Sequence, residues 1–233
     1  MGEVLPPHGE GTYLKVFHAI YEDPTFAGTS ATWDEIAGPS EDATWREAFG
    51  TEAPGVLQRT STIGVDVSGM RRVRWAELFA DRSLASNTDW QTLGDLLDGP
   101  SWPRSMVGPQ EGSLDVLSAR SIAEVIVEGA TPDCVMFRHG WTASGPLTNV
   151  REEVGAVATG AASDFLDFMQ AVGGSPHYCW ATDSTWSVTT DLDACTSFMV
   201  LPDRIAGRML GHPALEAIEV SRDDRAFPML RLR

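Results

Sequence analysis

The stretch Pro176-His177-Tyr178-Cys179-Trp180-Ala181-Thr182-Asp183-Ser184-Thr185-Trp186-Ser187-Val188-Thr189-Thr190-Asp191-Leu192-Asp193 decides the fold class. Trp180 and Trp186 flank a short polar segment in which Asp183 and Ser184 are turn formers. Aromatic, β-branched and Cys residues lie on either side, the signature of a β-hairpin. In the second arm Trp186, Val188 and Thr190 alternate with Ser187, Thr189 and Asp191. Period-two spacing puts the first set on one face, so Trp186 and Val188 are expected to point inward.

Working outward, Pro202 to Leu210 reads as a helix and Leu215 to Val220 as a last strand. Upstream, Ser163 to Val172 has helical spacing of Phe165, Leu166, Phe168 and Met169 and stops at Gly173-Gly174. Val154 to Thr159 and Cys134 to Trp141 read as strands. Ser113 is the expected N-cap of a helix that carries Leu114, Leu117, Ile122, Val125 and Ile126 and ends at Gly129. This order of helices and strands predicts an α+β fold, an antiparallel or mixed sheet with helices packed mainly on one face.

The first half is less regular. Tyr13 to Ile20 reads as a strand. Thr32-Trp33-Asp34-Glu35 fits a capping box that opens a short helix, and Glu41 to Phe49 reads as another. Thr62 to Val67 reads as an edge strand and Arg72 to Leu84 as an amphipathic helix. Residues 86–112 read as loop with one helical turn around Trp90, Leu93, Leu96 and Leu97, then broken by Gly99-Pro100, Pro103 and Gly108-Pro109. The expected organisation is a loop-rich region over 1–112 and an α+β core region over 113–233, together one compact unit.

The run W-A-T-D-S-T-W-S-V-T-T-D-L-D over 180–193, followed by a helix and G-H-P-A-L-E-A-I-E-V over 211–220, resembles a family of uncharacterised actinobacterial proteins. Thr131-Pro132-Asp133-Cys134, Arg74-Trp75-Ala76-Glu77 and Tyr13 to His18 resemble earlier segments of that family. Cys134 is displaced by one position, Cys179 stands where tryptophan is expected, and 142–175 match poorly. The family has no assigned activity, so the resemblance implies a fold and no chemistry.

Composition narrows the class. A chain of 233 residues with 42% hydrophobic content builds a globular core. It has no apolar run of membrane-spanning length, and its N-terminus lacks the basic start and apolar core of a signal peptide. Three cysteines at no metal-like spacing point to a reducing, cytoplasmic setting. Net charge is -16. Residues 1–54 hold ten acids and two bases, and residues 151–200 hold seven acids and one base. That balance disfavours nucleic acid and anionic membranes, which need Arg or Lys clusters. It suits solubility or, more pointedly, a basic protein partner; oligomeric state is left open.

No phosphate loop, dinucleotide fingerprint, zinc-protease helix, Cys-x-x-Cys pair or nucleophile elbow occurs. One local constellation could carry chemistry. His177 and Cys179 share a face two residues apart, and Asp191 and Asp193 share another at the hairpin's end. A Cys–His pair beside a carboxylate can hold a thiolate nucleophile. The separation along a strand is about 7 Å, however, and Cys179 reads better as a small buried hydrophobe. His18, His139 and His177 read as structural. Of eight tryptophans, Trp90 and Trp102 fall in loop-like sequence and are candidate binding anchors. No cofactor and no metal site are expected. The sequence thus favours a cytoplasmic, non-catalytic macromolecule-binding protein, accessory or immunity-like, with an acidic surface. The alternative is an enzyme of unrecognised type with a pocket near residues 177–193, using His177, Cys179 and Asp191 or Asp193.

Overall fold

The hairpin read around Trp186 lies inside a seven-stranded sheet. The structure, a computed structural model, describes residues 10–30, 67–79, 83–89, 103–130, 133–138, 156–190, 194–222 and 224. In chain order the strands are β1 (Thr12–Phe17), β2 (Ile20–Glu22), β3 (Arg71–Val73), β4 (Met106–Val107), β5 (Asp133–Arg138), β6 (Ala156–Ala161), β7 (Tyr178–Ala181), β8 (Ser187–Thr190), β9 (Thr196–Leu201) and β10 (Ala217–Glu219). The helices are α1 (Trp75–Leu78), α2 (Val116–Gly129), α3 (Phe165–Val172) and α4 (Asp203–Leu210). The chain divides into two units. The first takes in residues 10–18, 84–89 and the described residues from 111 onward; the second lies within 19–83 and 90–110. β1 therefore belongs with the C-terminal elements, and the chain enters the first unit for the last time at Glu111.

In the first unit the strand order is β10-β1-β9-β8-β7-β5-β6, with every neighbouring pair antiparallel. The fold class is α+β. Register fixes what shares a face. Leu14 stands opposite Met199, Met199 opposite Val188, Val188 opposite Cys179, and Cys179 opposite Met136. This row faces the helices. It packs with Ala119, Ile122 and Ile126 of α2, Phe165, Phe168 and Met169 of α3, and Ile205 and Met209 of α4 in one buried cluster. Trp186 joins the same cluster at 1% exposure, so the inward face expected from alternation is the observed one.

Local chemistry explains several helix ends. Asp115, not Ser113, caps α2: its Oδ1 accepts from the N–H groups of Leu117 and Ser118 at 3.0 and 3.1 Å. Ser113 is engaged elsewhere. Its Oγ accepts from Ser175 N at 2.7 Å, while Ser175 Oγ accepts from Leu114 N at 2.9 Å. This reciprocal pair ties the start of α2 to the chain before β7. α3 ends on Gly173 in the left-handed region at φ 69°, where glycine has no Cβ to clash. A Cβ on Gly129 would lie 2.9 Å from Ile205 Cγ1, so the end of α2 approaches α4 closely because it is bare.

The second unit contains the three-stranded antiparallel sheet β3-β2-β4. Ala19, Tyr21 and Val107 form one buried cluster there with Val67 and Met70 packed on it, and Ile20, Val73 and Trp75 are buried as well. Arg71 lies between Glu22 and Glu77 at 2.8 and 2.9 Å. The helix expected over 72–84 is cut back to α1 among the described residues. Residues 71–73 pair instead with Ile20–Glu22 as a strand. The expected elements at 32–37, 41–49 and 62–66 lie outside the described residues.

Candidate functional site

His177 and Cys179 sit where two-residue spacing places them, on the helix-facing side of β7 and its approach, and both are buried. The carbonyl of His177 accepts from Thr190 N at 2.8 Å, which closes the hairpin. The thiol of Cys179 has a second thiol for a neighbour. It hydrogen-bonds with the thiol of Cys134 from the adjoining strand β5. That bond, with burial, pushes Cys179 well above the ordinary thiol value; the same bond eases ionisation of Cys134. Burial, with Glu111 and Asp89 adding, also pushes Cys195 up. A raised thiol is uncharged at neutral pH and is a poor nucleophile. Asp191, Asp193, Trp90 and Trp102 lie outside the described residues. Among the described residues no His, Cys, Asp and Glu side chains gather as a metal-binding group.

The structure assembles a polar cluster that the sequence did not reveal. Ser197 of β9 stands opposite Val16 of β1 on one side and Thr190 of β8 on the other. Just past β1, His18 N donates to Cys195 O at 3.0 Å and continues the pairing. His18 Nε2 and Ser197 Oγ then share a hydrogen bond of 3.0 Å, and Ser197 Oγ and Thr190 Oγ1 share one of 2.6 Å. All three side chains are buried. A low-dielectric interior strengthens such a chain and penalises any unfilled member. An imidazole within reach of a hydroxyl is also the arrangement that activates a serine. The signal available in sequence was a run of hydroxyl residues, Thr196-Ser197, inside otherwise apolar strand sequence.

The opposite face of the sheet has a different character. One register row runs Val157, Phe137, Tyr178, Thr189, Phe198, Lys15, Ile218 across six neighbouring pairs. The next runs Thr159, Val135, Trp180, Ser187, Val200, Tyr13. Toward β9 these rows are buried. Lys15 donates to the carbonyls of Ser86 and Thr88 at 2.9 and 2.6 Å, and its ammonium lies 5.6 and 5.4 Å from the rings of Phe17 and Phe198. Burial lowers its pKa to about 8, with Asp89 pulling the other way. Toward β6 the rows open. Phe137, Tyr178, Val135 and Trp180 are half-buried and Val157 is 58% exposed. The rings of Phe137 and Tyr178 are 6.2 Å apart.

One end of this sheet carries several exposed carboxylates. Asp133 opens β5 opposite Ala161, the last residue of β6. Thr182 N donates to Asp133 O at 3.2 Å, which brings the β7–β8 turn and Asp183 to the same end. Thr12 of β1 pairs with Leu201, and its Oγ1 donates to Asp203 at the start of α4 at 2.7 Å. Glu10, Asp133, Asp164, Asp183 and Asp203 are all exposed there. His18, Thr190 and Cys195 are at the other end. No family model, curated protein or solved structure matches the chain.

Proposed function

We propose that this chain is a non-catalytic cytoplasmic protein, accessory or immunity-like, that binds a basic protein through an acidic surface. The observation that carries the reading is the end of the seven-stranded sheet that bears Glu10, Asp133, Asp164, Asp183 and Asp203, all exposed. These residues come from segments far apart in sequence, including both acid-rich stretches. Fields from side chains so gathered add, and they steer and hold a cationic surface. Three free, buried cysteines are in keeping with a reducing compartment. The test is co-purification from the native host, washed at low and at high salt and read by mass spectrometry. The expected result is a basic protein retained at low salt and released by salt. Retention of an acidic protein, or of none, counts against the reading.

A second reading, an enzyme near the 177–193 hairpin, draws on the contact between His18 Nε2 and Ser197 Oγ. In that case an electrophilic fluorophosphonate labels Ser197 and fails to label Ser197→Ala. Absence of labelling in the folded protein removes this alternative.

A further inference from the structure

We propose that the outer edge of β6 is the docking strand, and that its occupant is an extended basic segment of the partner, added as an eighth strand to the sheet. The inference rests on the proposed function and names where and how the partner is held. β6 pairs with β5 along its whole length and has no second neighbour among the described residues. Its sequence, Ala156-Val157-Ala158-Thr159-Gly160-Ala161, carries no charge and no proline. Outer strands ordinarily carry one or the other to prevent pairing.

The main-chain groups of β6 are oriented for pairing. Ala161 N–H is taken by Asp164 Oδ2 at 3.0 Å, so it points away from β5. In an antiparallel pair the main-chain groups of alternate residues point to the same side. The N–H and C=O of Val157 and Thr159 therefore point outward as well, ready for a ladder with a further strand. Added strands gain affinity from such main-chain bonds and specificity from alternate side chains. Val157 on β6 and, one strand further in, Phe137 and Val135 offer a half-open apolar strip to the side chains on one face of the incoming segment. Aromatic residues in this position are the ones that anchor interfaces.

Charge chooses the occupant. Asp133 and Asp164 flank the Ala161 end of the strand, and Asp167 follows in the first turn of α3; all three are exposed. An acidic segment is repelled there, and a second copy of this chain brings the same carboxylates and a net charge of -16. A segment with Arg or Lys at that end is attracted.

The probes are two labelled peptides of equal length and charge, one alternating Arg with Val and one alternating Arg-Arg with Pro-Pro, so that proline falls on both edges of the strand. The second cannot form a ladder. Fluorescence anisotropy with the full chain is expected to give about tenfold tighter binding of the Arg/Val peptide, the worth of one or two net hydrogen bonds. Methylating every amide nitrogen of that peptide abolishes the preference without touching the protein. Thr159→Pro, which removes an outward N–H on a strand edge, does the same. Asp133→Asn with Asp164→Asn weakens both peptides. Equal binding of the two peptides overturns the strand-addition inference while leaving the acidic-surface reading intact. Binding of neither removes both. A dimer in sedimentation that Thr159→Pro dissolves assigns the edge to a second copy and overturns the basic occupant.

Discussion

Replacing Trp186 by alanine tests the face assignment on which the sheet depends. Trp186 is 1% exposed and belongs to the cluster shared by β1, β5, β7, β8, β9 and the three long helices. A buried tryptophan withdraws roughly 200 Å² from water. At about 25 cal/mol per Å² that is about 5 kcal/mol of transfer free energy, and core Trp→Ala changes cost about 3–5 kcal/mol. We expect Trp186→Ala to lower stability by about 4 kcal/mol, close to a thousandfold in the folding equilibrium. Trp180 is the internal control. It lies on the preceding strand, faces the other way and is half-buried. Trp180→Ala is expected to cost about 1 kcal/mol, in the range of ordinary substitutions. The assay is urea denaturation followed by far-UV circular dichroism, which does not depend on the indoles removed. A cost for Trp186→Ala no larger than that for Trp180→Ala refutes the assignment of the two faces.

Lys15 makes stability rise with pH. Its folded pKa is about 8 against an ordinary 10.5, so below pH 8 it is charged in both states and the folded chain bears the full desolvation penalty. Between these values the unfolded chain holds the proton and the folded chain does not, so folding gains up to about 3 kcal/mol across that window; urea midpoints from pH 7 to 10 read it, and an equal slope in Lys15→Met refutes it. Cys134, Cys179 and Cys195 are all buried, so a thiol reagent at neutral pH is expected to label them slowly until urea is added; one fast-labelling thiol in the folded chain contradicts this. Gly11→Ala places a Cβ 2.5 Å from Leu201 O and 2.9 Å from Leu201 C, and because backbone cannot swing aside, a loss of about 1–3 kcal/mol is expected in the same urea assay. Gathered carboxylates repel, so the melting temperature is expected to rise from low to physiological salt; a temperature indifferent to salt refutes the acidic-end electrostatics.

By itself the sequence determined the elements whose causes are local. The β7–β8 hairpin follows from alternation and from the turn at Asp183-Ser184, where Ser184 takes a positive φ of 61°. α3 follows from its apolar spacing and its glycine stop, and α4 from the helical run after Pro202. Tertiary structure decided what depends on a distant partner. β9 was not recognised because Thr196 to Leu201 is buried on both faces, so its apolar and hydroxyl residues run on without alternation. Arg71–Val73 became a strand because Ile20–Glu22 lies beside it, which outweighs a helical pattern. Ser113 lost the cap of α2 because Ser175, sixty-two residues away, claims its hydroxyl. The His18–Ser197–Thr190 chain and the acidic end have the same origin. Their members come from different segments, His18 and Ser197 being 179 residues apart, and are brought together only through strand register, which no local propensity encodes.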